Sequence, residues 1–337
     1  MTKVSDIGEQ GFIQLLSHVF TVDDPRVVKG IGDDTSVTLQ DGDRCLLTTT
    51  DVLVEGVHYS PSYTEPELLG RKAVSTSLSD IAAMGGCPTL LLLSLSIPSE
   101  TSMAYLQSFY RGARERMDEF GVTLIGGNTS SSPGGMTVGV VALGEIPRDE
   151  VVCRKGAAVG DIIYVTGHLG DSALGLDLLQ AGTVQKVEMG RNSAVMRHLD
   201  PTPRVRAGRV IAERLLATAM IDISDGLLCD LRHLTEASGC GASVTLPALP
   251  LSPQLRERIA SKPDDIRLPL AGGEDYELLF ASPPENTSSI HALAEEIALS
   301  ITPIGTIVPK ERGVAVLDEN GEVVPIRVEG FDHFADL

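Results

Sequence analysis

Acidic residues gather beside glycines or small polar residues at several places in this 337-residue chain. "GIGDD" carries Asp33 and Asp34, and "TTTDVLVEGVH" carries Asp51, Glu55 and His58. "STSLSDIAAMGG" carries Asp80, "MIDISDG" carries Asp222 and Asp225, and "AGGEDYEL" carries Glu274 and Asp275. Each alone also suits a turn or a helix cap. Together they could converge on one cleft, and convergence needs cations: two like charges 4 Å apart repel by about 4 kcal/mol at an effective dielectric of ~20. Carboxylates without clustered His or Cys favour Mg²⁺, Mn²⁺ or Ca²⁺ over zinc. Mg²⁺ held by a few carboxylates, with phosphate and water completing its shell, suits phosphoryl transfer. Glycine turns add backbone N–H groups within reach of phosphate oxygens.

These residues sit at the ends of elements. Apolar periodicity predicts helices over 7–20, 66–84, 102–120, 171–180, 204–218, 227–237 and 290–299, with Gly121 and Gly239 where C-terminal cap glycines belong. "SVTLQ", a "DG" turn and "RCLLTTTDVLV" read as a hairpin. "TLLLLSLSI", "VTLIGG" and "MTVGVVALGEI" complete a first unit, and residues 147–161 read as a junction. "IIYVTG", "AMIDIS", "ASVTLP", "YELLFA", "ITPIGTIV" and "VAVLD" supply strands of a second, so two α/β or α+β domains are expected. "STSLSD" is polar nearly all round its helical turn, which reads as a solvated surface.

Composition narrows the function. Formal net charge is −19, tryptophan is absent and aromatics make up 4%, which argues against a nucleic-acid surface. No apolar run reaches spanning length. "MTKVSDIGEQ" lacks a signal-peptide core, so a cytoplasmic location is expected. The cysteines (Cys45, Cys87, Cys153, Cys229, Cys240) show no C-x-x-C and read as buried thiols. There is no G-x-x-x-x-G-K-[ST]; "GIGDDT" lacks the third glycine of a dinucleotide fingerprint; "DISDG" is not G-x-S-x-G; no protein-kinase motif set occurs.

In order, "GIGDD", "TTTDVLVEGVH", "LSDIAAMGG", "LIGGNT", "VTGHLGDSALGL", "IDISDGL", "GGEDYEL" and "GFDHF" resemble the thiamine-monophosphate kinase family along nearly the whole chain. The wider superfamily includes aminoimidazole ribonucleotide and selenophosphate synthetases. The resemblance implies an N-terminal α/β domain (1–150) that binds ATP and Mg²⁺. Its sheet would pair with a second copy in a barrel-like homodimer. A C-terminal α+β domain (151–337) would complete the site. It implies ATP-dependent phosphorylation of thiamine monophosphate to thiamine diphosphate, by direct transfer and with several Mg²⁺; neither nucleic acid nor membrane is an expected partner.

By likeness, Asp34, Thr50, Asp51, Asp80 and Asp222 stand at metal-ligand positions, with Thr49 a further backbone or hydroxyl ligand and Asp225 holding another metal. Gly127, Arg154 and Ser224 would touch ATP; His58, Glu274 and Phe331 would contact the thiamine phosphate. The chain departs from the family at Asn128, where an aspartate is expected; Asn keeps a carbonyl ligand but loses a charge. That departure leaves open a binding protein with little or no turnover. A different synthetase of the superfamily is the other alternative, although the first cysteine, Cys45, lies in a strand and suits selenophosphate chemistry poorly. His18, His198 and His291 read as ordinary surface residues.

Overall fold

The computed structural model describes residues 3–20, 22–184, 186–325 and 334. A helix α1 (Gly8–Val19) precedes a first sheet of β1 (Val27–Lys29), β2 (Ser36–Leu39), β3 (Arg44–Val54), β4 (Cys87–Ile97), β5 (Thr123–Ser131) and β6 (Thr137–Pro147). Two helices, α2 (Pro66–Ala83) and α3 (Met103–Phe120), connect its later strands. The order is β1-β2-β3-β6-β4-β5, antiparallel except for β4 and β5. The predicted "DG" hairpin is β2–β3. Strand β6 shows why one face is core: Val138, Val140, Ala142 and Ile146 alternate inward and are fully buried. At the far edge, all nine residues of β5 are exposed, Ile125 at 53%.

The second half supplies β7 (Ile162–Thr166), α4 (Asp171–Gln180), α5 (Ser193–Leu199), α6 (Val205–Glu213) and β8 (Ala219–Asp222). There follow α7 (Leu227–Ser238), β9 (Gly241–Thr245), α8 (Pro253–Ser261), α9 (Arg267–Ala271), β10 (Leu278–Ser282), α10 (Thr287–Ile297), β11 (Ile301–Val308) and β12 (Val314–Leu317). Their sheet runs β12-β9-β11-β7-β10-β8, with only the β12–β9 pair parallel. Gly121 and Gly239 do end α3 and α7, at φ 68° and 69°. The helix expected over 204–218 is shorter, because Leu215 turns the chain at φ 52°.

Helix α2 joins the halves. It packs on β3, β4 and β6 of the first sheet, on α3, and on α6 and β8 of the second half. With neighbours on every side, its polar segment is not a solvated face: Ser75, Ser77 and Ser79 are fully buried. Gly208 of α6 allows the approach, since a Cβ there would lie 2.1 Å from the carbonyl oxygen of Ala82. One apolar core runs through the seam, from Leu47 and Leu78 to Met220 and Phe280. Cys87, expected inside, is exposed on the first residue of β4.

Candidate active site

The polar residues of α2 hold the acids. Thr49 Oγ1 of β3 donates to Asp80 Oδ2 at 2.5 Å, and Ser77 Oγ donates to Asp51 Oδ2 at 2.5 Å. Ser79 Oγ reaches into the second half and donates to Asp222 Oδ2 at 2.6 Å, at the end of β8. Asp34 arrives from the loop before β2 and pairs with Arg154 at 2.6 Å. Its neighbour Asp33 accepts from the Arg154 backbone N–H and pairs with Lys29 at 2.9 Å. Carboxylate oxygens of Asp34, Asp80 and Asp222 thereby lie within 4.8 Å of one another.

Nothing in this cluster balances its charge fully. Burial pushes the Asp80 carboxyl well above the usual carboxylate range, and the charges of Asp51, Asp222 and Asp34 add to it. Burial, then the Asp34 charge, pushes Asp222 up to about 8, against a hydrogen bond from Ser79 and the charge of Arg154. Asp34 and Asp51 are raised for the same first reason. Oδ2 of Asp34 is buried and accepts no hydrogen bond. An orphaned carboxylate oxygen among all-oxygen donors fits a hard divalent cation.

A second acidic group follows β8. Asp230 Oδ2 accepts the backbone N–H groups of Ser224, Asp225 and Gly226, each at 3.1 Å, and so shapes the "SDG" turn. Side-chain donor atoms of Asp225, Cys229, Asp230 and His233 also lie within 4.8 Å of one another.

A cavity of about 850 Å³ opens between the halves. Thr50, Asp51 and His58 line it from the first; Ser224, Asp225, Glu274 and Tyr276 line it from the second. The "GGEDYEL" loop is strained, with Glu274 at φ 65° and Tyr276 at φ 49°. Backbone bonds from Glu274 N to Ser224 O (2.7 Å) and from Tyr276 N to Ile223 O (2.8 Å) clamp it onto the loop after β8.

At this end the charge is balanced. Lys72 Nζ lies 2.7 Å from Glu274 Oε1, and His198 Nδ1 lies 3.2 Å from Oε2. Burial opposes ionisation of Glu274, yet Lys72 and then His198 hold its carboxyl below the ordinary glutamate range. Burial, with Lys72 nearby, lowers His198 to about 3, so its ring is neutral near pH 7. His198 is therefore not a surface residue; it is 2% exposed in the cavity lining, next to Ser172 Oγ at 3.2 Å. His58 accepts the Val54 N–H on Nδ1 at 3.0 Å, which leaves Nε2 to carry the proton of the neutral ring.

The structure thus brings Asp34, Thr49, Asp51, Asp80, Arg154 and Asp222 into one cluster, and places Thr50, Asp51 and His58 on one wall of the cavity and Ser224, Asp225 and Glu274 on the other. Gly127 and Asn128 stand apart on β5, facing Leu93 and Ser94 of β4 across the ladder, with Asn128 exposed. A Cβ on Gly127 would lie 1.7 Å from the Leu93 carbonyl oxygen, so only glycine fits. Phe331 lies outside the described residues. Sequence reasoning missed Lys72, Ser77, Ser79, Ser172 and His198. The one available signal, for the α2 residues, was a lysine and a polar run among the apolar residues of that helix.

Fold and site together define a class. The model for "AIR synthase related protein, N-terminal domain" matches residues 32–146, and that for the C-terminal domain matches 158–318. Thiamine-monophosphate kinase of Escherichia coli (strain K12) is 38% identical over 306 residues, 91% of this chain and 92% of the relative. That of Aquifex aeolicus (strain VF5) is 36% identical over 335 residues, 98% of this chain and 100% of the relative. The solved structure of AaThiL complexed with AMPPCP and TMP has a TM-score of 0.85 and 35% identity, covering 99% of each chain. The chain belongs to the thiamine-monophosphate kinase family.

Proposed function

We propose that this protein transfers the γ-phosphoryl group of ATP to thiamine monophosphate, giving thiamine diphosphate and ADP. The observation that carries the reading is a single cavity with an unbalanced carboxylate cluster beside one wall and a fixed anionic side chain, Glu274, on another. The relative solved with AMPPCP and TMP supports the same pair of ligands.

Asp34, Thr49, Thr50, Asp51, Asp80, Asp222 and Asp225 would hold Mg²⁺, and Asn128, apart on β5, would hold a further Mg²⁺; the cations would neutralise phosphate charge and hold donor and acceptor phosphates together. Arg154 forks onto phosphate oxygens, while Gly127 and Ser224 bring backbone groups against the nucleotide. His58 donates to the acceptor from Nε2. Glu274 faces the aminopyrimidine or the cationic thiazolium; the heterocycle contact expected of Phe331 lies outside the described residues. An ionised oxygen of thiamine monophosphate bonds to the γ-phosphorus as the bond to the bridging oxygen breaks and ADP leaves. The monoester is already ionised near neutral pH, so the chain supplies position and charge rather than a strong base. Residues 1–150 form the nucleotide, metal and dimer domain, and 151–337 complete the site. The edge of β5, exposed and unpaired among the described residues, supports a homodimer through the first sheet.

The test is incubation with ATP, Mg²⁺ and thiamine monophosphate. Thiamine diphosphate and ADP form in equal amounts, and EDTA stops both. Asn128 favours a second reading, a binding protein that turns over poorly. Tight binding of both ligands without product at enzyme excess selects that reading.

A further inference from the structure

Lys72 is a deeply buried charge near the cavity that does not line it. Its side chain is 1% exposed inside α2, a helix packed against both halves of the molecule. Such a charge persists only with partners that replace water. Lys72 has two of different origin. Nζ lies 2.7 Å from Glu274 Oε1, on the second half, and donates to the His58 backbone carbonyl at 3.2 Å, in the loop after β3 of the first half. His58 and Glu274 both line the cavity.

We infer that Lys72 is a positioning residue that holds His58 and Glu274 at a fixed spacing across the seam, and so sets the acceptor end of the cavity. The inference rests on the proposed function, because that reading makes these two side chains acceptor contacts. The geometry carries the rest. Without the ammonium, the His58 carbonyl loses its tie to the opposite wall and the Glu274 carboxylate loses its nearest counter-charge. The strained backbone at Glu274, φ 65°, then has less to hold its side chain toward the cavity. The metal-site acids Asp51, Asp80 and Asp222 are held through Ser77, Thr49 and Ser79 rather than through Lys72.

The experiment is a double-mutant cycle of Lys72→Met and Glu274→Gln in the full chain. It is read by calorimetric binding of thiamine monophosphate, by both Michaelis constants and by thermal melting. Lys72→Met should weaken thiamine monophosphate by roughly tenfold or more while the ATP KM moves less than about twofold, the size of coupling expected for groups in direct contact. The double variant should bind within about threefold of the weaker single variant, since the two residues act together. It also carries no isolated buried charge, so it melts above Lys72→Met and gives a folded comparison even if that variant unfolds. If the two losses multiply, or if Lys72→Met weakens ATP as much as thiamine monophosphate, Lys72 is structural and the inference is overturned. If the parent chain itself fails to bind thiamine monophosphate, the functional reading falls first and takes the inference with it.

Discussion

Two ends of one cleft bury charge and treat it in opposite ways. Around Asp34, Asp80 and Asp222, carboxylates face one another with Arg154 as the basic partner, and burial with repulsion from neighbouring aspartates raises all three. Around Glu274, a buried lysine and a neutral histidine match one carboxylate, and its acidity increases. A site built for a mobile cation leaves its charge unmatched until that cation arrives. A site built to present an anion to a ligand carries its own counter-charge. The two ends should therefore respond with opposite signs when a carboxylate is removed.

The largest effect is expected at the acid end in catalysis. Asp51→Ala and Asp80→Ala should each lower kcat/KM by roughly 10²–10³-fold, comparable to removing a group that stabilises transition-state charge, while circular dichroism stays that of the parent. Parental turnover in both variants would remove the cluster from the mechanism.

Stability sharpens the contrast. Asp222, raised to about 8, keeps its proton in the folded chain at pH values where the unfolded chain has released it. Stability from such a group is lost as pH rises from the ordinary value near ~4 through the raised one. In EDTA the melting temperature should fall as pH is raised from about 5 to about 8, and Mg²⁺ should flatten that slope. Asp80→Asn should raise the melting temperature at the upper end of that range in EDTA. Glu274→Gln should do the reverse, costing about 3 kcal/mol, the low end for a broken buried pair, because Glu274 keeps 23% of its side chain exposed. The same sign for both variants would erase the distinction between the two ends.

For ligands, Glu274→Gln should raise the thiamine monophosphate KM by about tenfold, as expected when a charge-assisted contact is lost, with the ATP KM little changed. A shift confined to ATP would move Glu274 to the nucleotide. The smallest effect belongs to Asn128→Asp. Restoring a charge at that position should lower the half-saturating Mg²⁺ by a few-fold, since a carboxylate attracts the ion more strongly than an amide carbonyl. If the variant matches the parent across a Mg²⁺ titration, Asn128 plays no part in metal binding.

Local chemistry was readable from the sequence where it depends on neighbours along the chain. Adjacent glycines and acids marked the turns at Asp34, Asp222 and Glu274, the "DG" marked the β2–β3 hairpin, and Gly121 and Gly239 marked two helix ends. Partnerships set by distant segments were not readable. Ser77 and Ser79 looked solvated because polarity around a helix is the same pattern whether water or two packed walls surround it. His198 looked like a surface histidine because nothing beside it shows that α5 packs against the cavity. Lys72 carried no local mark of its partners. The charge count, the turn chemistry and the order of motifs were determined by the sequence itself, since they follow from residue type and short spacing. Which acids are left unmatched and which one receives the buried lysine of α2 was decided only by the tertiary structure, because α2 is shared by both halves and its polar residues find their partners on opposite walls.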